Sequence, residues 1–225
     1  MPLSRIPLNR RVVAEFIGTA FLLIAVVGGG IAAQRLSPND TGLQLFEAAV
    51  VTAFGLAAFI MMFGPISGAH FNPSVTLTDV ALGNRDKKEA LPYIAAQVLG
   101  GSTGTVLSNL MFELPAVEIS ETIRSGSGQW LGEVIATIGL LFVIFLMVRE
   151  RASVYTIGIA VGIYIGGAYF FTSSTSFANP AVTIARMFSD TFAGIAPSSA
   201  PAFIVAQLVA VPIVVAMLRF WNPER

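Results

Sequence analysis

Two short polar stretches recur inside otherwise apolar sequence, and that pair constrains the fold more than any other feature of the chain. The first is Ser67-Gly68-Ala69-His70-Phe71-Asn72-Pro73-Ser74-Val75-Thr76-Leu77, the second Ser176-Phe177-Ala178-Asn179-Pro180-Ala181-Val182-Thr183-Ile184. In both, Asn-Pro opens a short apolar segment. Asn is a favoured N-cap and Pro a favoured first helical residue, so each copy predicts a helix start. Gly83 and Asp190 break the two segments after about ten residues, half of the roughly 20 that a bilayer crossing needs. The expectation is two half-helices, one in each half of the chain.

What surrounds them decides the solvent. Hydrophobic residues make up 55% of the chain and charged residues 12%, with a mean hydropathy of +0.76. Those values, with apolar runs of spanning length, predict a membrane protein. Six spans are expected at about 12–33, 43–63, 90–112, 130–148, 154–171 and 202–220. The first is too long for a signal-peptide core, and Ile31-Ala32-Ala33-Gln34 is a poor cleavage site. Basic residues orient the spans. With both termini inside, Arg5, Arg10, Arg11, Arg85, Lys87, Lys88, Arg149, Arg151, Arg219 and Arg225 fall inside. Only Arg35, Arg124 and Arg186 fall outside, a positive-inside bias. The first half-helix then enters from the inside and the second from the outside. The short termini and compact chain point to a bacterial inner (plasma) membrane, with both termini cytoplasmic.

The halves, about 10–112 and 129–221, read as repeats within one channel domain. Ala14-Glu15-Phe16-Ile17-Gly18-Thr19 matches Gly132-Glu133-Val134-Ile135-Ala136-Thr137, and Tyr93-Ile94-Ala95-Ala96-Gln97 matches Phe203-Ile204-Val205-Ala206-Gln207. Three spans per half is odd, so the second repeat is inverted, an architecture of transport proteins. Other classes recede. Net charge is zero, which gives no nucleic-acid partner. The absence of cysteine and the single histidine leave no thiolate or multi-histidine metal centre, no cofactor is expected, and no nucleophile–base arrangement suggests an enzyme.

The paired Asn-Pro motifs, the Ser-Gly-Ala-His before the first and the Ala-Glu-Phe-Ile-Gly-Thr of the first span resemble the aquaporin and aquaglyceroporin (major intrinsic protein) family of membrane channels. The resemblance covers the whole chain and is closest in kind to a bacterial aquaglyceroporin. It implies an all-α fold of six transmembrane helices plus two re-entrant half-helices, one pore per subunit and a homotetramer in the lipid bilayer. It also implies a selectivity filter at Thr52, Gly167, Ser176 and Val182, carried over by ungapped distance, with Phe54 as the alternative to Thr52. The family's usual filter arginine is replaced by Val182. A small, uncharged set predicts a wide, partly apolar constriction that passes glycerol-like polyols, neutral metalloid or arsenic species and water.

The pore chemistry follows from the residues. Backbone carbonyls at His70-Phe71 and Ser176-Phe177-Ala178 are expected to line the pore, since unpaired backbone at membrane depth belongs in a water-filled cavity. Asn72 and Asn179 are expected to cap the half-helices with their side-chain oxygens and to point their amide N–H groups into the pore. Two positive helix ends at the centre repel cations and oppose proton hopping. Ser74 adds a hydroxyl near the centre. His70 either donates into the inner pore or only packs on the loop. Arg186 reads as a surface arginine paired with Asp190, or as a guanidinium at the outer mouth. Glu15 and Glu133 are intramembrane acids, functional by default; the resemblance implies that they brace the re-entrant loops. Gly158, Gly162 and Gly166 make a close-packing face. Two further readings stay open: a secondary active transporter coupled through Glu15 and Glu133, and a mainly water-selective channel.

Overall fold

The computed structural model describes residues 6–221, so Arg5 and Arg225 of the basic-residue count lie outside the described residues. Every regular element among them is helical. The first span is α1 (Leu8–Leu23) and α2 (Gly29–Leu36), joined through a π-helical turn at Ile24–Gly28. The wider turn frees backbone carbonyls. The Ser108 hydroxyl reaches those of Leu23 and Ile24, at 3.5 and 3.4 Å. Then come α3 (Thr41–Ser67), the half-helix α4 (Pro73–Ala81), α5 (Ala90–Met111), α6 (Ser127–Arg149), α7 (Val154–Phe171), the half-helix α8 (Pro180–Ala185) and α9 (Ala200–Trp221). Five rods are long and apolar enough to cross a bilayer. With 22 residues, α5 is long enough to be the sixth, and its Gln97, Ser108 and Asn109 are buried in the protein rather than turned to lipid.

Small residues set the spacing of the rods. Gly158, Gly162 and Gly166 of α7 lie on α3, where a Cβ at Gly162 would sit 2.5 Å from the Ala53 carbonyl oxygen. Gly100 and Gly104 of α5 meet the Phe16 and Ala20 carbonyls of α1 in the same way. Lipid offers no hydrophobic reward for helix association, so close backbone approach and dispersion hold such rods together. Large apolar side chains such as Phe54, 73% exposed, and Ile163, 70% exposed, face outward. That removes Phe54 from the pore.

The half-helices are built as their sequence predicts, with Asn72 and Asn179 at the N-caps and Pro at the first position. The second is shorter than expected: after six residues it tightens into a 3₁₀ turn at Arg186–Phe188. The connection 113–126 folds over the outer end, with Ser120 N–H donating to the Met187 carbonyl and Ala196 N–H to the Thr122 carbonyl.

Candidate functional site: a pore between two half-helices

Each half-helix is preceded by a loop in an unusual backbone conformation, and the two loops repeat each other. Ala69 and Phe71 have φ of 50° and 50°, Ser176 and Ala178 of 47° and 48°. Such left-handed geometry is unfavourable for residues with a Cβ, by roughly 1–3 kcal/mol each, and persists only where the surroundings impose it. A buried carboxylate imposes it in each repeat. Glu15 accepts from His70 N–H (3.0 Å), Phe71 N–H (2.7 Å), the Ser67 hydroxyl (2.6 Å) and Gln97 Nε2 (2.8 Å). Glu133 accepts from Phe177 N–H (2.9 Å), Ala178 N–H (2.8 Å) and Gln207 Nε2 (2.6 Å). The glutamines also reach the first turn of each half-helix, Gln97 at Thr76 and Gln207 at Thr183, both at 2.9 Å. From sequence Gln97 and Gln207 read as hydrogen-bonding across spans without a substrate role; the structure makes each the clamp that ties a loop-holding acid to its half-helix.

The half-helices meet at their N-termini. Asn72 Oδ1 accepts from Ser74 N–H at 2.8 Å, and Asn179 Oδ1 from Ala181 and Val182 N–H at 2.9 and 3.3 Å. Their amide groups are not wholly free, as the sequence had suggested. Asn72 Nδ2 donates to the Ala178 carbonyl and Asn179 Nδ2 to the Phe71 carbonyl, each at 2.8 Å. Each loop's last carbonyl is thus held by the other repeat's asparagine, and one N–H of each amide remains for the lumen. Ala178 accordingly lies fully buried behind the lumen wall rather than on it. Ser74 is also displaced from the expected lining. It is fully buried, with its hydroxyl 3.5 Å from the Gln207 carbonyl, and Val75 takes the lumen position.

The lumen is a cavity of about 60 Å³, walled by residues that include Leu22, Val26, Thr52, His70, Phe71, Asn72, Ile165, Tyr169, Ser176, Phe177, Asn179, Val182 and Arg186. Gly167 is not among them. Two residues on from Ile165, it points about 200° around α7, onto the exposed outer face with only Phe171 near its Cβ position. Tyr169, one turn after Ile165, faces the lumen instead, its hydroxyl 2.9 Å from the Thr52 hydroxyl. Val161, Ile165 and Tyr169 recur at helical spacing, a signal in the sequence that ungapped counting from the motif does not use.

Of the two readings of Arg186, the structure places it at the outer mouth rather than on the surface. It is 4% exposed and stacks its guanidinium 3.5 Å from the centre of the Phe177 ring, while Nε donates to the Ala193 carbonyl. Asp190 is not its partner, since it accepts from Ser120 Oγ and Glu121 N–H. The early end of α8 explains this: the 3₁₀ turn redirects Arg186 inward and Asp190 towards the 113–126 connection. Outward of the lumen lies a vestibule of about 280 Å³, joined to it at Val26, Tyr169 and Arg186 and lined in part by Arg124. Nothing local to its polar loop marked Arg124 in the sequence.

Inward lies a larger vestibule of about 500 Å³. His70 stands at its junction with the lumen, Nδ1 at 3.0 Å from Thr76 Oγ1 and Nε2 at 3.4 Å from the Asp79 carboxylate. His70 thus packs on the loop network and also lines the pore, with both ring nitrogens facing protein groups. Arg85 bonds Asp79 at 3.0 Å and Glu89 at 3.1 Å, and Arg11 grips Glu89 through two nitrogens at 2.6 and 2.5 Å. That Arg11 bond holds the Glu89 carboxyl below its ordinary range.

Fold and site together define a membrane pore protein: helical rods in two inverted repeats, with two capped half-helices meeting in a lumen open to vestibules on both sides. Comparison with known proteins agrees. The major intrinsic protein family model matches residues 2–177. The chain is 43% identical over 214 residues to the aquaglyceroporin AqpS of Rhizobium meliloti (strain 1021), covering 95% of this chain and 90% of that one. It is 32% identical to the aquaporin AqpM of Methanothermobacter marburgensis, over 84% of this chain and 87% of that one. In fold it is similar to the X-ray structure of the aquaglyceroporin from Plasmodium falciparum, with a TM-score of 0.74 at 22% identity over 93% and 95% of the two chains. The chain belongs to the major intrinsic protein family, a family of membrane channels.

Proposed function

We propose that this chain is a passive channel for small uncharged solutes, with glycerol-like polyols, neutral metalloid or arsenic hydroxides and water as its permeants. The observation that carries the reading is Val182 on the lumen wall beside Thr52, Tyr169 and Ser176. An apolar side chain there leaves room and hydrophobic surface for a carbon skeleton, and the hydroxyls of Thr52, Tyr169 and Ser176 serve a polyol's oxygens. At the centre, the spare N–H groups of Asn72 and Asn179 and the two positive helix ends orient each solute oxygen and oppose cations.

The geometry favours this over a coupled transporter. Glu15 and Glu133 are engaged by loop and glutamine donors, so neither of these two midspan carboxylates is free for proton or sodium coupling. In this reading the protein is a single channel domain of repeats 10–112 and 129–221. It sits in the plasma membrane with both termini cytoplasmic, and its exposed outer apolar faces assemble four copies and contact lipid.

Stopped-flow light scattering on proteoliposomes tests the proposal. Glycerol and arsenous acid are expected to enter faster than into empty liposomes, linearly with concentration and indifferent to proton or sodium gradients. A Val182→Arg substitution is expected to lower glycerol permeability about tenfold, a barrier increase near 1.4 kcal/mol, while water still passes. Glycerol entry no faster than into empty liposomes overturns the reading.

A further inference from the structure

Among the described residues, the outer vestibule is lined by two guanidiniums and no carboxylate. Arg124 is fixed by its Nε on the Gly194 carbonyl (2.8 Å) and an Nη on the Phe192 carbonyl (3.1 Å); Arg186 is fixed by its Nε on the Ala193 carbonyl. Three successive backbone carbonyls thus hold both side chains in place. Both pack on the ring of Phe177 in the buried loop, with the Arg124 and Arg186 guanidinium carbons 5.1 and 3.5 Å from its centre. Among the described residues, neither arginine forms a salt bridge. The carboxylate that acts on both through space is Glu133, already consumed by the Phe177 and Ala178 amides and Gln207. Both Nη groups of Arg186 and one of Arg124 have no acceptor among the described residues.

A buried cation without a counter-charge is unfavourable, and spare guanidinium N–H groups suit the paired oxygens of an oxyanion. On the same lumen wall as Arg186, the Ser176 hydroxyl is buried and has no hydrogen-bond partner among the described residues. The vestibule of about 280 Å³ exceeds the space of a few-atom solute and its water. Building on the channel reading, we propose that the outer vestibule is a binding site for a small singly charged oxyanion of the carboxylate or sulfonate class, held between Arg186 and Arg124 near Ser176. The site charges the entrance positively, concentrates such anions there, and makes neutral-solute flux sensitive to them.

Binding is read without transport by ¹⁹F NMR of trifluoroacetate, a permanent monoanion, titrated into the purified channel in nonionic detergent. The expected result is saturable line broadening that trifluoromethanesulfonate competes away better than chloride at equal ionic strength. Arg186→Gln and Arg124→Gln each weaken binding about tenfold or more, the loss of one charge-assisted bond. Arg124→Lys, which keeps the charge without the fork, falls between, and Arg35→Gln, outside the vestibule, leaves binding unchanged. Folding of each variant is checked by its gel-filtration profile. Broadening that persists undiminished in a folded Arg186→Gln protein, or that chloride abolishes equally well, overturns the site. In proteoliposomes, methanesulfonate is expected to lower wild-type glycerol permeability saturably. Absence of glycerol flux altogether would count against the channel reading and leave the NMR result to decide the site.

Discussion

Replacing Glu133 by glutamine separates a structural carboxylate from a proton-carrying one. The wild-type side chain accepts from Phe177 N–H, Ala178 N–H and Gln207 Nε2 at 2.6–2.9 Å. Hydrogen bonds to a charged group contribute roughly 1.5–3 kcal/mol each. A glutamine keeps one oxygen and turns an NH₂ donor towards a second donor, so at least one loop amide loses its acceptor inside the protein. The smaller desolvation cost of a neutral group offsets part of this loss, leaving a net destabilisation of about 2–4 kcal/mol. At roughly 2–4 °C per kcal/mol for a chain of this size, the melting temperature in detergent falls by about 10 °C. Solute flux falls as well, because Ser176 and Ala178 relax from their left-handed conformations and the lumen loses its wall. Glu15 carries one more donor, so Glu15→Gln is expected to cost at least as much. The assay is scanning fluorimetry beside glycerol uptake with and without a proton gradient. An unchanged melting temperature with flux that loses only its gradient dependence would refute the bracing argument and return the acid to proton coupling.

Three further outcomes follow from the same geometry. Tyr169→Ala removes the lumen-facing ring and its bond to Thr52, so glycerol permeability should rise relative to water, whereas Gly167→Ala, on the outer face, should leave that ratio unchanged in the same assay. Gly162→Val places a side chain against the Ala53 carbonyl and forces α3 and α7 apart; a loss of about 3 kcal/mol or failure to assemble is expected by gel filtration and thermal melting. The Glu89 carboxyl is held low by Arg11, so its stabilisation is present above the ordinary carboxylate pKa and disappears as pH falls through the lowered value. Melting temperatures measured between neutral and acid pH should therefore fall less steeply in Glu89→Gln than in the wild type.

The sequence by itself determined the elements, their number and the inverted order. Apolar run length, Asn-Pro caps and the Glu15/Glu133 repeat are local or periodic signals, and local signals survive without coordinates. It also marked the residues at the pore centre, because an Asn cap and a following Pro specify a helix start wherever they occur. The tertiary structure decided everything that depends on facing. Ungapped spacing pointed to Gly167, yet a two-residue offset on a helix is a rotation of about 200°, and it is Tyr169 that faces the lumen. The early tightening of α8 decided between the two readings of Arg186, turning it inward. The crossed bonds of Asn72 to Ala178 and Asn179 to Phe71, and the meeting of Arg124 with Arg186, join residues far apart in the chain. Sequence spacing carries no information about such pairs, because only the packing of one inverted repeat against the other brings them together.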